Sequence, residues 1–164
     1  IWWIISNNIG KKLTWLTSSS ITLIALMVFY LYEIETLIEL LFLVAFIGFG
    51  SGAGGILFWS MLPDTIEYGE VHTGVRSESS LYGFMTFAQK GSIAFALIIL
   101  GIVLDFIGFQ ANEIQSESTI DNMKAIMTLI PCIGVALSLV IIYFYPIDAK
   151  MHKDLLRQLQ EANK

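Results

Sequence analysis

The sequence predicts an all-α membrane protein, and three observations lead to this prediction. Of its 164 residues, 55% are apolar and only 14% are charged, and the mean hydropathy is +0.71. An average soluble domain carries about 25% charged residues. The apolar residues also form nearly charge-free runs of about twenty residues, which is the length that crosses a bilayer. An ordinary soluble domain is therefore excluded.

Four spans are predicted along the chain, at residues 13–32, 37–62, 81–109 and 123–145. Residues 1–5 are apolar but lack an initiator methionine and a basic flank, so they predict the end of a truncated helix and a C-terminal fragment. Residues 63–80 are polar and predict a cytoplasmic loop. Residues 146–164 predict an amphipathic cytoplasmic tail.

The tail predicts a short helix that begins after Asp148, because aspartate is a favourable N-cap. Met151, Leu155, Leu156 and Leu159 share one side of this helix. Docking of that side on the helical bundle is the favoured interpretation. An anchor that lies in the lipid surface is the alternative.

The basic residues are distributed unequally between the two sets of helix ends. One set holds seven of them and the other holds only Lys124; the seven are Lys11, Lys12, Arg76, Lys150, Lys153, Arg157 and Lys164. The positive-inside rule therefore places the first set in the cytoplasm. We expect a protein of the bacterial inner membrane with a cytoplasmic C-terminus. No basic face is predicted for nucleic acid.

Lys90 is out of place in the apolar third span. It lies ten residues beyond Ser80, which is about 15 Å into a hydrocarbon core about 30 Å thick. A lysine at this depth costs about 3 kcal/mol. It should therefore face a water-filled cavity or an acidic partner, and this sequence offers no acid at that depth. Bonds to neighbouring backbone carbonyls are the alternative.

Further polar residues share one helix face with Lys90. Tyr82, Thr86 and Lys90 are four residues apart, and Gln89 lies beside them. Such a stripe, from the cytoplasmic mouth to the midplane, is typical of a solute pathway. A hydroxyl that bonds back to its own helix would explain Thr86 but not Lys90.

The second span is rich in glycine at positions that allow close helix packing. Pairs four residues apart form the small-xxx-small pattern, and the glycines are Gly48, Gly50, Gly52, Gly54 and Gly55. Tight packing is the favoured role, and bending during a conformational cycle is the alternative.

The loop at 63–80 carries charges that predict a latch at the mouth. Asp64 and Glu67 share a face, and Arg76 can fold back as their counter-charge, with Glu78 beside it. Alternatively, Asp64 caps a short helix and Glu67 reaches back to its amide. His72 has no second His or Cys nearby and is predicted to be an exposed loop residue.

Neither a catalytic triad nor a nucleotide motif is found, so an enzyme is not predicted. The single cysteine, Cys132, follows Pro131 in an apolar run and is expected to be a packed thiol. No metal site or resident cofactor is predicted.

Several sequence runs closely resemble the glycoside–pentoside–hexuronide:cation symporters, the melibiose-carrier branch of the major facilitator superfamily. They are Met61-Leu-Pro-Asp-Thr-Ile-Glu-Tyr-Gly-Glu70, Thr73-Gly-Val-Arg-Ser-Glu78, Tyr82 and Phe87-Ala-Gln-Lys90-Gly91. The resemblance implies a twelve-helix carrier, of which this chain would form the end of helix eight through helix twelve. Substrate would bind at the midplane between two halves.

The resemblance also implies roles for particular residues. A lysine matching Lys90 lies beside the cation and sugar sites, and residues matching Asp64, Glu67 and Arg76 form the cytoplasmic gate. The carboxylates that bind the coupling cation, Na⁺ or H⁺, lie on N-terminal helices outside this sequence. The expected partners are a sugar, the lipid bilayer and those N-terminal helices. The alternatives are a carrier of another solute, such as a lysolipid, and a non-transporting membrane scaffold.

Overall fold

The computed structural model describes residues 1–162 of the chain, which form six helices. They are α1 (Trp2–Ile9), α2 (Lys11–Leu31), α3 (Leu37–Thr73), α4 (Glu78–Phe106), α5 (Glu117–Tyr143) and α6 (Ala149–Ala162). The predicted all-α architecture is confirmed. Helices α2 to α5 are long and apolar enough to cross a membrane. Lys164, counted above among the basic residues, lies outside the described residues.

The helix ends are set by local sequence signals. Gly10, with φ 87°, separates α1 from α2, so that the first helix continues to Ile9 rather than ending at residue 5. Thr36 and Glu39 form a reciprocal capping box at the start of α3. Gly74 ends α3 in the left-handed conformation, with φ 70°. The Ser116 hydroxyl accepts a hydrogen bond from the Thr119 amide and caps α5. This helix begins at Glu117, six residues before the start of the predicted span.

The predicted loop at residues 63–80 is wrong, because α3 continues through most of it. The 37 residues of α3 extend about 55 Å, well beyond a hydrocarbon core about 30 Å thick. Pro63 does not end the helix. The Lys11 ammonium donates to the Ser60 carbonyl, 2.6 Å away, in the turn before the proline, and such outside donors make an internal proline tolerable. Only residues 74–77 connect α3 to α4.

Helix α2 lies at the centre of the bundle, between α3 and α5. It presents three buried hydroxyl residues at four-residue spacing, Thr14, Ser18 and Thr22, and each donates to a carbonyl of its own helix. These small side chains satisfy their own polar groups and leave room for α3. The apolar core beside them contains Trp2, Ala53, Leu57, Met61 and Ile142.

Among the five glycines singled out in the second predicted span, Gly50 lies at a tight helix contact. A Cβ added there would lie 2.5 Å from Thr22 Oγ1 and 2.9 Å from the Thr22 backbone nitrogen. Gly52 makes only ordinary contact with Trp2, at 3.9 Å. Within the part of the chain that the structure describes, a Cβ at Gly48, Gly54 or Gly55 would meet nothing within 4 Å.

We expect Gly50→Ala to destabilise the fold by about 1–3 kcal/mol, because the added methyl group overpacks the contact with the Thr22 backbone. Gly54→Ala is the matched control on the same helix, and it should be neutral or stabilising by up to about 1 kcal/mol. Thermal unfolding of the purified protein in detergent measures both changes. Equal effects of the two variants would contradict the assignment of the helix contact to Gly50.

Helix α6 packs against α3, with Leu155 buried in the contact, and Ile147 is buried just before it. Asp148 accepts hydrogen bonds from the amides of Lys150 and Met151 and so caps this helix, as predicted. The tail is docked on the bundle in the described structure. At its first turn, Ala149 lies against Gly10, where an added Cβ would be 3.1 Å from the alanine Cβ.

Helix α4 is the least embedded of the long helices. None of its residues is buried against the described residues, and its main contact is with α3. Tyr82 stacks on Trp59 at that contact, with ring centroids 6.5 Å apart. An apolar helix of 29 residues therefore leaves most of its surface free.

Candidate functional site

Four ionisable side chains meet where α2, α3 and α6 come together: Lys11, Asp64, Glu67 and His152, hereafter the four-residue cluster. Asp64 is only 5% exposed. The Lys11 ammonium lies 2.7 and 2.8 Å from its two carboxylate oxygens. A buried carboxylate needs such a partner, because removal from water strongly disfavours an isolated charge. Lys11 therefore neutralises Asp64 and, through the Ser60 carbonyl, also ties α2 to α3.

His152 joins α6 to the same cluster. Its Nε2 atom lies 3.2 Å from a Glu67 carboxylate oxygen and 3.4 Å from Asp64 Oδ1. The histidine side chain is 30% exposed and the Glu67 side chain 20% exposed. One imidazole therefore lies between two carboxylates that are three residues apart on α3, and Lys11 approaches Asp64 from α2.

Arg76 does not fold back on Asp64 and Glu67, so that prediction is wrong. Its guanidinium pairs with Glu70, 2.9 Å away, and with Glu78, 3.2 Å away. The reason is the continuation of α3, which carries the chain about 14 Å past Asp64 before it turns at Gly74. The hydrogen bonds to Glu70 and then Glu78 raise the pKa of Arg76 above its ordinary value.

The alternative of a helix cap at Asp64 is also wrong, because this residue lies deep inside α3. The Glu67 carboxylate contacts His152 rather than a backbone amide of its own helix. His72 is exposed, as predicted, but it lies on α3 rather than in a loop. Its ring stacks on Tyr68, and its Nδ1 atom lies 2.8 Å from the Tyr68 carbonyl oxygen.

Tyr145 closes one side of the region around the cluster. Its hydroxyl lies 3.4 Å from Thr65 Oγ1, and its backbone carbonyl accepts a hydrogen bond from Lys12. Burial raises the pKa of the Tyr145 phenol, and the nearby Asp64 charge acts in the same direction. The phenol therefore stays neutral and joins α3 to the segment that leads into α6.

The predicted polar stripe lies along one side of α4, and its members differ in exposure. Tyr82, which stacks on Trp59 of α3, and Gln89 are half-buried, whereas Thr86 and Lys90 are exposed. Thr86 Oγ1 donates a hydrogen bond to the Tyr82 carbonyl. This is the bond back to its own helix that the sequence analysis gave as the alternative for Thr86. Among residues 1–162, Lys90 has neither a hydrogen bond nor an ion pair.

The donor set Asp64, Glu67 and His152 is of a type that binds divalent metals, and its ligand atoms lie within 4.8 Å of one another. The Lys11 ammonium, however, bonds both oxygens of Asp64 and places a positive charge at the same point. A divalent ion there would have to displace this pair. The arrangement fits an ion-pair network better than a metal centre.

Sequence reasoning missed two members of the four-residue cluster. Lys11 was considered only for the charge bias, and His152 was not singled out. A signal for His152 was present, because it falls between Met151 and Leu155 on the apolar side of the tail helix. A titratable residue on the apolar side of a docked helix faces the surface of the bundle on which that helix packs.

The molecule is thus a helical integral membrane protein. It has a charged cluster at one end of its spans, and Lys90 lies near the middle of the exposed helix α4. The family that the chain matches is one of transporters, not of enzymes. The chain belongs to the MFS/sugar transport protein family, which it matches over residues 1–149, and it carries part of the major facilitator fold. The family resemblance seen in the sequence is confirmed.

The chain is similar to several bacterial proteins. It is 31% identical over 157 residues to a "Glucuronide carrier protein homolog" of Escherichia coli (strain K12), which covers 96% of this chain and 34% of that protein. It is 35% identical over 115 residues to the "Uncharacterized symporter YnaJ" of Bacillus subtilis (strain 168), covering 70% of this chain and 25% of that protein. The chain spans about a quarter to a third of these relatives' lengths.

Proposed function

We propose that the chain forms the C-terminal portion of a carrier that moves a sugar or glycoside together with Na⁺ or H⁺ by alternating access. Family membership and the carrier and symporter names of the relatives support transport as the function. The sugar and the coupling cation are substrates in this proposal, and no resident cofactor takes part.

The observation that carries the proposal is the position of Lys90. It lies 12 residues into the 29-residue helix α4, about 18 Å along its axis, and is exposed. A lysine at the centre of a membrane costs about 3 kcal/mol unless it meets water or an opposite charge. Among the described residues it is not bonded to neighbouring carbonyls, which favours a cavity or a carboxylate that the N-terminal helices of the carrier supply.

The residues beside Lys90 suit a sugar pathway. Tyr82, Thr86 and Gln89 offer hydroxyl and amide groups, which donate to and accept from sugar hydroxyls. In this proposal Lys90 pairs with the cation-binding carboxylates and links cation occupancy to sugar binding. The three polar residues line the route between the mouth and the midplane.

The ion pairs at the end of α3 serve as the latch of the gate. Asp64, Glu67, Arg76 and Glu78 keep the gate role predicted for them, but they act through two separate groups. The four-residue cluster holds α2, α3 and α6 together, while Arg76 joins the end of α3 to the start of α4 through Glu70 and Glu78. Movement of α4 relative to α3 would break the Arg76 pairs first, since these are the more exposed.

The orientation follows from the charges. The bundle gathers Lys11, Lys12 and the basic residues of α6 at one end, while Lys124 bonds the Tyr32 carbonyl at the other. By the positive-inside rule, the first end is cytoplasmic. We therefore propose that the protein lies in a bacterial inner membrane with the gate and α6 on the cytoplasmic side.

The test is uptake by membrane vesicles that contain the full-length carrier. Radiolabelled glucuronides, galactosides and pentosides are supplied with an inward Na⁺ gradient, an inward H⁺ gradient, or neither. We expect accumulation of at least one sugar under one gradient and its loss when an ionophore collapses that gradient. Movement of lysolipid but of no sugar would assign another solute. Movement of nothing above carrier-free vesicles would favour a scaffold.

A further inference from the structure

Two aromatic rings stack where α3 and α4 meet. The ring of Trp59 lies against that of Tyr82, with centroids 6.5 Å apart and planes 13° from parallel. The Phe58 ring stands nearly perpendicular to the indole, with centroids 5.2 Å apart, and supports it from the same helix. Trp59 is nevertheless 39% exposed within the described structure. An aromatic ring that its neighbours hold in place is therefore open over part of its surface.

The polar groups of this aromatic pair are unengaged. The indole nitrogens of Trp2 and Trp15 both donate hydrogen bonds to other residues of the bundle, at 2.7 and 2.9 Å. Within residues 1–162, in contrast, neither Trp59 Nε1 nor the Tyr82 hydroxyl has a hydrogen-bond partner. Tryptophan and tyrosine usually find a partner for these groups when they are buried. An indole N–H and a phenol are therefore free to bind a ligand.

The stack lies on the side of α4 that faces the substrate pathway of the proposed carrier. Tyr82 begins the polar stripe that leads to Lys90, eight residues and about 12 Å farther along the helix. A lysine avoids hydrocarbon, so this side of α4 faces water or protein rather than lipid tails. Trp59 contacts α4 at Tyr82 and is thereby held beside the same pathway. A tryptophan that only anchored the bundle would instead face the lipid headgroups.

An aromatic face beside free hydrogen-bonding groups suits a sugar ring. The C–H groups on the apolar face of a pyranose carry a partial positive charge and are attracted to the negative face of an aromatic ring. The sugar hydroxyls can accept from an indole N–H and can both donate to and accept from a phenol. Trp59 is the main platform of the pair, because its ring is larger than that of Tyr82 and it is exposed where Tyr82 is half-buried.

We propose that Trp59 and Tyr82 form a second sugar subsite, on which the sugar ring stacks between the polar stripe and the cytoplasmic gate. The inference rests on the proposed function, for which it specifies a further substrate contact. The position follows from the chain. Tyr82 lies one helical turn after Glu78, whose carboxylate pairs with Arg76. The subsite therefore holds the sugar directly inside the gate, about 12 Å from Lys90 along α4.

The experiment measures sugar binding by the purified full-length carrier at equilibrium, in a buffer that contains Na⁺. Methyl glucuronide, methyl galactoside and methyl xyloside are titrated calorimetrically into the wild type and into variants of Trp59. Trp59→Leu keeps an apolar side chain but removes the aromatic face and the indole N–H, so we expect it to raise the Kd of the glycoside that binds by about three- to tenfold. Trp59→Phe keeps an aromatic face and should raise the Kd by about two- to threefold.

Trp3 provides the matched control, because it is also exposed, at 66%, but lies on α1, which packs on α2 and α3. Trp3→Leu should retain the wild-type Kd. A folded Trp59→Leu variant with the wild-type Kd would overturn the subsite, and so would a wild type that binds none of the three glycosides. If Trp59→Leu does not fold, a wild-type Kd in Trp59→Phe is the result that overturns it.

Binding and uptake together separate this subsite from the proposed function. A carrier that shows no gradient-driven uptake, but binds a glycoside in a manner that depends on Trp59, retains the subsite and loses coupled transport. A carrier that accumulates sugar and binds it with the same Kd in every Trp59 variant retains transport and loses the subsite.

Discussion

Replacing Lys11 with methionine is expected to lower the free energy of unfolding by about 3 kcal/mol. The substitution keeps an unbranched apolar stem but removes the ammonium that lies 2.7 Å from the Asp64 carboxylate. Asp64 is 5% exposed, so its charge would remain buried without a partner. The Ser60 carbonyl would lose its outside donor as well. Chemical unfolding of the purified carrier in detergent, followed by tryptophan fluorescence, measures the loss.

Two further variants separate the buried ion pair from general damage. Asp64→Asn in the Lys11→Met background removes the unpaired charge and should recover part of the lost stability. A double-mutant cycle measures this coupling. Arg76→Ala removes the partner of Glu70 and Glu78, whose pairs with Arg76 are exposed, and should leave the unfolding midpoint nearly unchanged. If Lys11→Met were as mild as Arg76→Ala, the buried cluster could not be what holds α2 to α3.

The helices were predictable because membrane spans follow from a local property, the length of an apolar run. The ends of the helices were predicted less well, because they depend on groups from elsewhere in the chain. Pro63 was taken as the end of a span, and the sequence around it gives no sign that Lys11 donates to the preceding turn. The capping box of Thr36 and Glu39, in contrast, is local and sets the start of α3 where it was predicted.

The candidate site shows the same division between local and distant contacts. The stripe on α4 depends on helical spacing alone, and the structure places its residues on one side of that helix. The partner of Asp64 was predicted from proximity in sequence, as Arg76, but the actual partner lies 53 residues earlier. The contact between Glu67 and His152 joins residues 85 apart. Charge pairing between helices cannot be chosen from the sequence when several basic residues share one end of the bundle.

The glycines of α3 illustrate how a pattern overpredicts contacts. Small-xxx-small spacing is satisfied twice, yet the described structure uses one member, Gly50, for a close approach to α2. That contact also needs a small partner, and the pattern in α3 says nothing about Thr22 on the facing helix. The small and hydroxyl residues of α2, at Thr14, Ser18 and Thr22, would have been the additional signal.

Replacing Lys90 with alanine is expected to reduce cation-dependent sugar accumulation by about a hundredfold. Removing one partner of a buried charge pair costs about 3 kcal/mol, which corresponds to roughly two powers of ten in rate. Initial uptake rates in vesicles, with and without the cation gradient, measure the loss. Because α4 buries none of its residues against the described part of the chain, the variant should leave the packing of α2, α3 and α5 intact.

Lys124→Ala is the matched control for Lys90. Lys124 lies in α5, at the end of the bundle opposite the gate, and its ammonium donates to the Tyr32 carbonyl, 3.1 Å away. The variant should retain coupled uptake. Lys90→Leu adds a second readout: a scaffold would gain stability and keep its phenotype, because the insertion cost of about 3 kcal/mol is removed. A carrier should instead lose coupling. Undiminished coupled uptake with Lys90→Ala would remove this lysine from the mechanism and leave the exposed centre of α4 without a function in transport.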